Sequence, residues 1–523
     1  MKKGSKILLA GEGDNPSGMN SSRRSFIKTI GAAAAGLIVV PYLKPSGVFA
    51  YNHKGTSTYL ATVAIANTNP KSGPTPADSY VYDDASGGVK QTVQSLLSQL
   101  DGVSSLFSKG KKVAMKINMT GGSANADANG NISKRNQSGQ LIWSVPITEA
   151  MWTHPAVLQA VGEFILGCGV NPGDLYIVDS FWDTGWQTSG STAPFGSNDG
   201  FGYKAVQTAL GCNVVDLNSP GPLASSFAVI STGSNYFHFS SLQMNEVLKD
   251  VDVYVSIPKL KQHSAAGLTC SLKNQVGTVP ISLNTITGDN GRRGRLHHAV
   301  STDSEWNYLP ESICDLNAAR PVNLAVVDGI MNATGGEGTW CTNFKPCSTH
   351  VLFAGLDPVA TDSIGAYLMG LDCEAETLPL PAPLTDGNAT SSTTDNYLYK
   401  LNAKGVGTNQ RSQINIVGDG ANLITSVRQN AETTQPADFK LCANFPNPFN
   451  PSTIIIFYLP RNEHVSLRVF DVTGRAVETL VEGEVPAGEH RLHWSATGLA
   501  SGVYLCRMQA GNFSETIKMV YQK

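Results

Sequence analysis

Val113-Ala114-Met115-Lys116-Ile117-Asn118 is a short apolar run that turns polar at its end, and Thr153-His154-Pro155 downstream leads into a stripe of Val157, Leu158, Val161, Phe164 and Ile165. The first reads as a buried strand. The second reads as a helix opened by Pro155, because proline at the first helical position lacks only an N–H that would have no intrahelical partner. Working outward, Leu175 to Val178, Val251 to Ile257, Val322 to Val327 and Val351 to Ala354 are further strands, while Val89, Val93, Leu96, Leu97 and Leu100 recur at helical spacing. In Gly355-Leu356-Asp357-Pro358, Asp357 is placed to cap a helix that Pro358 begins. Strands alternating with helices over residues 51–420 predict an α/β domain with a largely parallel sheet flanked by helices.

Open α/β sheets gather ligands where strand C-termini meet helix N-termini, so the polar residues just after these strands are the candidates. Lys116 and Asn118 end one strand, Asp179 and Asp183 follow another, Lys259, Lys261 and His263 follow Ile257, and Asp328 follows Val327. Lys273 and Asn274 stand on a short helix after Gly267-Leu268-Thr269. Ammonium groups beside helix N-terminal amides suit a phosphate or carboxylate. Lysines with alternating apolar neighbours also fit a solvated strand end. Gly335-Gly336-Glu337-Gly338 reads as a flexible lid or a loop that approaches a ligand, without the lysine of a P-loop. His154, His297, His298 and His350 lack metal-ligand spacing.

The ends of the chain have a different texture. Near the front, Ser22-Arg23-Arg24-Ser25-Phe26-Ile27-Lys28 precedes an apolar run from Ile30 to Val40, too short to span a bilayer, and Val48-Phe49-Ala50 offers a cleavage site after Ala50. From about Asp438 short alternating runs take over: Thr453 to Leu459, Val465 to Phe470, Glu489 to Trp494, Gly502 to Met508 and Glu515 to Tyr521. Asp471-Val472-Thr473-Gly474-Arg475 is a hairpin turn with glycine where a positive φ is needed. These predict a C-terminal immunoglobulin-like β-sandwich over 438–523, joined through a linker at 421–437.

The 523 residues, with net charge −3 and 15% charged residues, carry no broad field for nucleic acid. The nine cysteines form no C-x-x-C pair and so indicate no zinc ribbon or iron–sulfur cluster; Cys341 and Cys347 are spaced to pair across a short loop.

Three resemblances follow from these motifs. Ser22 to Lys28 resembles a twin-arginine translocation signal, which implies a leader over 1–50, folding before export, and the twin-arginine translocase as a partner. Asn444 to Thr453, Asp471 to Arg475 and Ser501-Gly502-Val503-Tyr504 resemble the type A C-terminal sorting domain of the type IX secretion system. That likeness implies the type IX machinery as a partner, transit through the periplasm, and secretion or attachment at the outer cell surface, with no transmembrane helix in the mature chain. Lys116-Ile117-Asn118, Pro258 to His263, Gly267 to Gly277, Asp328-Gly329-Ile330 and Gly355 to Asp362 resemble the signature segments of the domain of unknown function 362 family, in which no reaction is established.

Two functions fit these residues. In an enzyme, Lys116, Asn118, Lys259, Lys261, Lys273 and Asn274 bind an anionic small molecule, His263 or Asp328 serves as acid or base, and Asp357 or Asp362 holds a metal or caps a helix. The cofactor stays unknown on this reading. In a non-catalytic surface binding or structural protein, the long segments Gly121 to Gly139 and Ser189 to Gly202 recognise a partner or glycan, with Trp182, Trp186 and Trp340 as stacking platforms.

Overall fold

The computed structural model describes residues 60–68, 82, 88–121, 127, 131–136, 138–181, 202–221, 225–285, 293–297, 308–381, 392–421, 424, 438–442, 444, 447, 449, 452–485, 487–496 and 498–522. Arg23, Arg24, Ala50, Trp182, Asp183, Trp186, His298 and nearly all of the 421–437 segment lie outside the described residues.

The main sheet is built from β1 (Ala61–Asn67), β2 (Val113–Lys116), β3 (Leu175–Asp179), β4 (Asn213–Asp216), β5 (Val253–Ser256), β6 (Lys259–His263), β7 (Gly267–Thr269), β8 (Leu324–Thr334), β9 (Lys345–Gly355) and β10 (Ile414–Val417). Its order is β10-β1-β9-β8-β5-β2-β3-β4, with β6 joined to β8 and β7 to β6. All neighbours in the run from β8 to β4 are parallel. The antiparallel contacts come from β9, which runs against both β1 and β8, and from the β6–β7 hairpin.

Alternation along the strands sends side chains into two separate cores. Val113, Met115, Val253, Val255, Leu324 and Val326 enter the first, together with the apolar stripes of α1 (Val89–Ser98), α3 (Pro155–Gly167) and α4 (Tyr203–Leu210). Ala114, Tyr254, Ala325 and Val327 enter the second, against α5 (Leu309–Ala319), α6 (Pro358–Leu368) and α7 (Tyr397–Ala403). A sheet covered on both faces needs strands apolar on both faces, which is why these segments read as nearly continuous apolar runs. The largely parallel sheet flanked by helices is therefore as expected.

Two segments differ from the expectation. Gly121 to Gly139 is partly a β-hairpin, Asn131–Arg135 pairing with Leu141–Pro146, and the ends of the stretch from Glu376 to Asn396 pair as Thr377–Pro379 with Thr393–Asp395.

The C-terminal strands form two antiparallel sheets. One holds β11 (Lys440–Leu441), β12 (Ser452–Leu459) and β15 (Gly488–Ser495); the other holds β13 (Glu463–Asp471), β14 (Ala476–Val485), β16 (Gly502–Ala510) and β17 (Phe513–Tyr521). Ile455, Phe457 and Leu459 from the first share a core with Val465, Leu467, Val469, Cys506 and Met508 from the second. At the β13–β14 turn Gly474 has φ 82°, and Asp471 Oδ1 accepts from the backbone N–H groups of Thr473 and Arg475 at 3.0 and 3.1 Å.

Asp357 caps α6. Its Oδ1 accepts from Val359 N and Ala360 N at 2.8 and 3.0 Å, and its Oδ2 accepts from Thr408 N at 3.0 Å. Both oxygens are thus committed to backbone amides. Asp357→Ala removes a cap and leaves three amides without that acceptor, so a loss of about 2 kcal/mol is expected in urea unfolding; an unchanged midpoint contradicts the capping role.

Candidate functional site

The chain runs β2, β3, β4 toward one edge and then returns to place β5 on the other side of β2. Such a reversal opens a crevice at the carboxyl ends of the two strands, since the connections leave in opposite directions. Lys116 is the last residue of β2, and β5 ends at Ser256, just before Lys259.

Lys116 is buried, and its Nζ contacts Asp179 Oδ1 at 2.8 Å while donating to Ile117 O at 2.6 Å and Asn274 Oδ1 at 3.2 Å. Burial pushes the Lys116 amine down and the Asp179 carboxyl up, each against the attraction of the other. Asn274 closes the web: Oδ1 also accepts from Asn118 Nδ2 at 3.3 Å, and Nδ2 donates to Lys116 O and Ser256 Oγ, both at 3.1 Å. Asn118 N donates to Thr153 Oγ1 at 2.8 Å. Only glycine fits at 277, where a Cβ would stand 2.7 Å from both Lys116 Nζ and Asp179 Oδ1.

The register of β6 on β8 sets Lys259 opposite Asp328, and the side chains meet with Nζ 2.6 Å from Oδ2, both fully buried. The same Oδ2 accepts from His154 N at 2.9 Å. Glu149, on the four-residue helix α2 (Ile147–Ala150), lies near this pair; it is buried and makes no hydrogen bond to a described residue. Burial raises its carboxyl, Lys259 opposes the rise and Asp328 adds to it.

Lys261 and Lys273 are different. Lys261 Nζ donates to Met151 O at 2.6 Å and Thr120 Oγ1 at 3.2 Å, both neutral, and burial lowers the amine to about 7. Lys273, 8% exposed, has no hydrogen bond or ion pair with a described residue, and burial lowers it to about 8. Glu337 attracts both from beyond contact. Its Oε2 accepts from Ser264 N at 3.0 Å and Ser264 Oγ at 2.8 Å, and its Oε1 from Trp340 Nε1 at 3.0 Å. Despite burial its carboxyl stays well below the usual range, held by the Ser264 and Trp340 donors.

His263 accepts at Nδ1 from Ala265 N and Ala266 N at 3.0 and 3.2 Å. That bonding fixes the neutral ring with its proton on Nε2, and burial, then Lys273, keeps the ring from charging. His263 can therefore donate from Nε2, while the Nδ1 lone pair is engaged.

Residues 140–367 match the family described as Domain of unknown function (DUF362). Residues 443–522 match the Secretion system C-terminal sorting domain. The thylakoid-associated protein sll1697 of Synechocystis sp. is 24% identical over 286 residues, covering 55% of this chain and 71% of that protein. Among solved structures, a β-glucuronidase of Parabacteroides merdae aligns over 16% of this chain and 13% of its own at 17% identity, with a TM-score of 0.13. An engineered protein aligns over 84% and 98% at 11% identity, also with a TM-score of 0.13. Neither structural likeness carries an argument. The DUF362 match contains Glu149, His154, Lys259, Lys261, His263, Lys273, Asn274, Asp328 and Glu337, whereas Lys116 and Asn118 precede it. The match at 443–522 supports export of the chain by the type IX secretion route.

Several expectations change. The lysines after β5 are buried rather than a solvated strand end. The Gly335–Gly338 segment is a tight turn that buries Glu337, with φ 75° at Gly335 where a Cβ would stand 1.9 Å from Asn343 O. Asp362 accepts from Ser271 N and Leu272 N, both at 2.9 Å, and is pushed up to about 6 by burial, so it anchors the segment after β7. No group of three or more His, Cys, Asp or Glu among the described residues could hold a metal. Cys341 and Cys347 are free thiols, facing Glu337 and Asn332 respectively.

Lys259→Ala strands the Asp328 carboxylate in the interior, so a loss of about 3–5 kcal/mol is expected in urea unfolding. Replacing both partners, Lys259→Met with Asp328→Leu, is expected to recover most of it. Equal instability of the single and double variants contradicts the pairing.

Proposed function

We propose that this chain is a secreted protein that binds a small anion, a carboxylate or phosphate, at the crevice between β2 and β5, as an enzyme whose reaction passes through that anion. The observation that carries this reading is that two buried ammonium groups, Lys261 and Lys273, have no carboxylate within ion-pairing distance among the described residues. Lys116 and Lys259 already have partners, so they shape the site and Lys261 and Lys273 remain to meet the ligand. An anion entering there replaces lost hydration with direct charge.

On this reading the chain divides into a twin-arginine leader over 1–50, the α/β domain over 51–420, a linker over 421–437 and an immunoglobulin-like sorting sandwich over 438–523. The twin-arginine translocase and the type IX machinery are its transport partners. The Ser22 to Lys28 motif supports the first, and the match at 443–522 supports the second. No helix among the described residues is long and apolar enough to cross a membrane. Folding before export suits a site whose parts come from separated stretches of chain.

Titration calorimetry with sulfate tests the site, because sulfate keeps its charge while the two amines titrate. Lysine binds an anion in its protonated form, so affinity falls as pH rises through about 7 and about 8. A drop of at least about tenfold is expected between about pH 6 and about pH 9. Lys273→Met is expected to lower the low-pH affinity about tenfold or more, with a ligand-free melting temperature no lower than the wild type's as the control. Absence of binding at low pH, or binding indifferent to both pH and Lys273→Met, sinks the reading.

A further inference from the structure

Among the buried lysines of the described residues, Lys261 alone is held only by neutral oxygens. Lys116 and Lys259 touch carboxylates at 2.8 and 2.6 Å, and Lys273 touches none. Lys261 Nζ is fixed in direction by Met151 O and Thr120 Oγ1. Burial is the main influence against its charge; Glu337 attracts that charge from beyond contact, and Lys273 and Lys259 repel it. An ammonium that is dehydrated, oriented and crowded by other cations gives up its proton readily, and the neutral amine left behind is a nucleophile toward carbonyl carbon.

The neighbours supply what that chemistry requires. Lys273 offers a cation without a counter-ion, suited to a carboxylate. Glu149 is a buried carboxyl with no hydrogen-bond partner among the described residues, and Lys261 is tied to Met151, two residues beyond it. His263 carries an N–H on Nε2, since two backbone amides occupy Nδ1. Lys273, Glu149 and His263 keep 8%, 5% and 5% of their surfaces exposed, so the cluster touches solvent at these groups.

We propose that Lys261 forms an imine with a 2-oxo acid whose carboxylate is held by Lys273. This rests on the anion-binding reading above and names its substrate class. The neutral Lys261 amine adds to the keto carbon, forming the C–N bond as the C=O π pair moves to oxygen, which takes a proton from Glu149 while the His263 Nε2–H donates a hydrogen bond to it. The nitrogen then returns a proton to Glu149, which gives it to the carbinol oxygen; that oxygen leaves as water with its C–O pair, and the nitrogen lone pair forms the C=N bond. No oxidant or reductant is consumed. The protonated imine withdraws electrons from the neighbouring carbon, so the bonds it weakens are those to the substrate carbon beside it.

The test incubates the purified chain with pyruvate and cyanoborohydride at about pH 7, where hydride from the reagent reduces any imine to a stable secondary amine, and locates the adduct by peptide mass mapping. Labelling at Lys261 is expected to exceed that at any exposed lysine by at least about tenfold, because ordinary lysines are almost wholly protonated at that pH. Sulfate is expected to suppress it, and Lys261→Met to abolish it; Lys261→Arg, which keeps the charge, serves where the Met variant does not fold. Sulfate binding in the wild type without an adduct at Lys261 overturns the imine and leaves the anion site standing. Labelling spread over surface lysines, or unaffected by sulfate, overturns it as well. Failure of both sulfate binding and labelling removes both readings.

Discussion

Taking an ammonium group out of water costs several kcal/mol even after the protein relaxes around it, and this chain buries Lys116, Lys259, Lys261 and Lys273 at one end of one sheet. Much of the surrounding architecture answers to that cost. Asn274 spends both side-chain atoms on bonds that hold Lys116, Asn118 and Ser256 in place. Gly277 is bare because any side chain would enter the Lys116–Asp179 contact. The register of β6 on β8 brings Asp328 to Lys259, so a main-chain alignment sets the distance of an ion pair.

The sheet order explains why this concentration occurs where it does. Between β2 and β5 the connections part, and at that crevice residues following both strand ends are bonded to the segment between α2 and α3. That segment reaches across it: Met151 O accepts from Lys261, Thr153 Oγ1 accepts from Asn118 N, and His154 N donates to Asp328. Pro155 then starts α3 at once, with His154 Nδ1 accepting from Ala156 N at 3.1 Å as its cap. The same few residues therefore end a loop, begin a helix and close the site, which ties helix placement to the chemistry.

The strands and helices were legible where a stripe or an apolar run was long. Both faces of the sheet are buried, so Val113 to Ile117 and Val322 to Val327 announce themselves, and the Val465, Leu467 and Val469 alternation marks β13. The reversed direction of β9 was not legible, because apolar content says nothing of strand polarity. Strand β14 left no signal either, being partly exposed throughout, with no buried alternation. In the site, lysines after strand ends were readable as candidates, but whether they were solvated depended on long-range packing. Glu149 sits on a helix of four residues, too short for any period, and Glu337 was masked by its glycines, whose turns direct it inward. His263 could be read as acid or base from sequence; only the two amides on Nδ1 decide which nitrogen carries the proton.

Lys261 and Lys273 set the limit on how far packing alone accounts for this fold. A buried pair such as Lys259 with Asp328 is self-sufficient, whereas a buried ammonium without a counter-ion leaves the ligand-free protein less stable than an apolar residue of the same volume would. Any anion that binds the folded chain and not the unfolded one stabilises it by mass action, so occupancy of the crevice offsets the strain of building it. Stability and ligand binding are then two readings of one electrostatic arrangement. The C-terminal sheets take no part in it, since their buried residues form a core of their own.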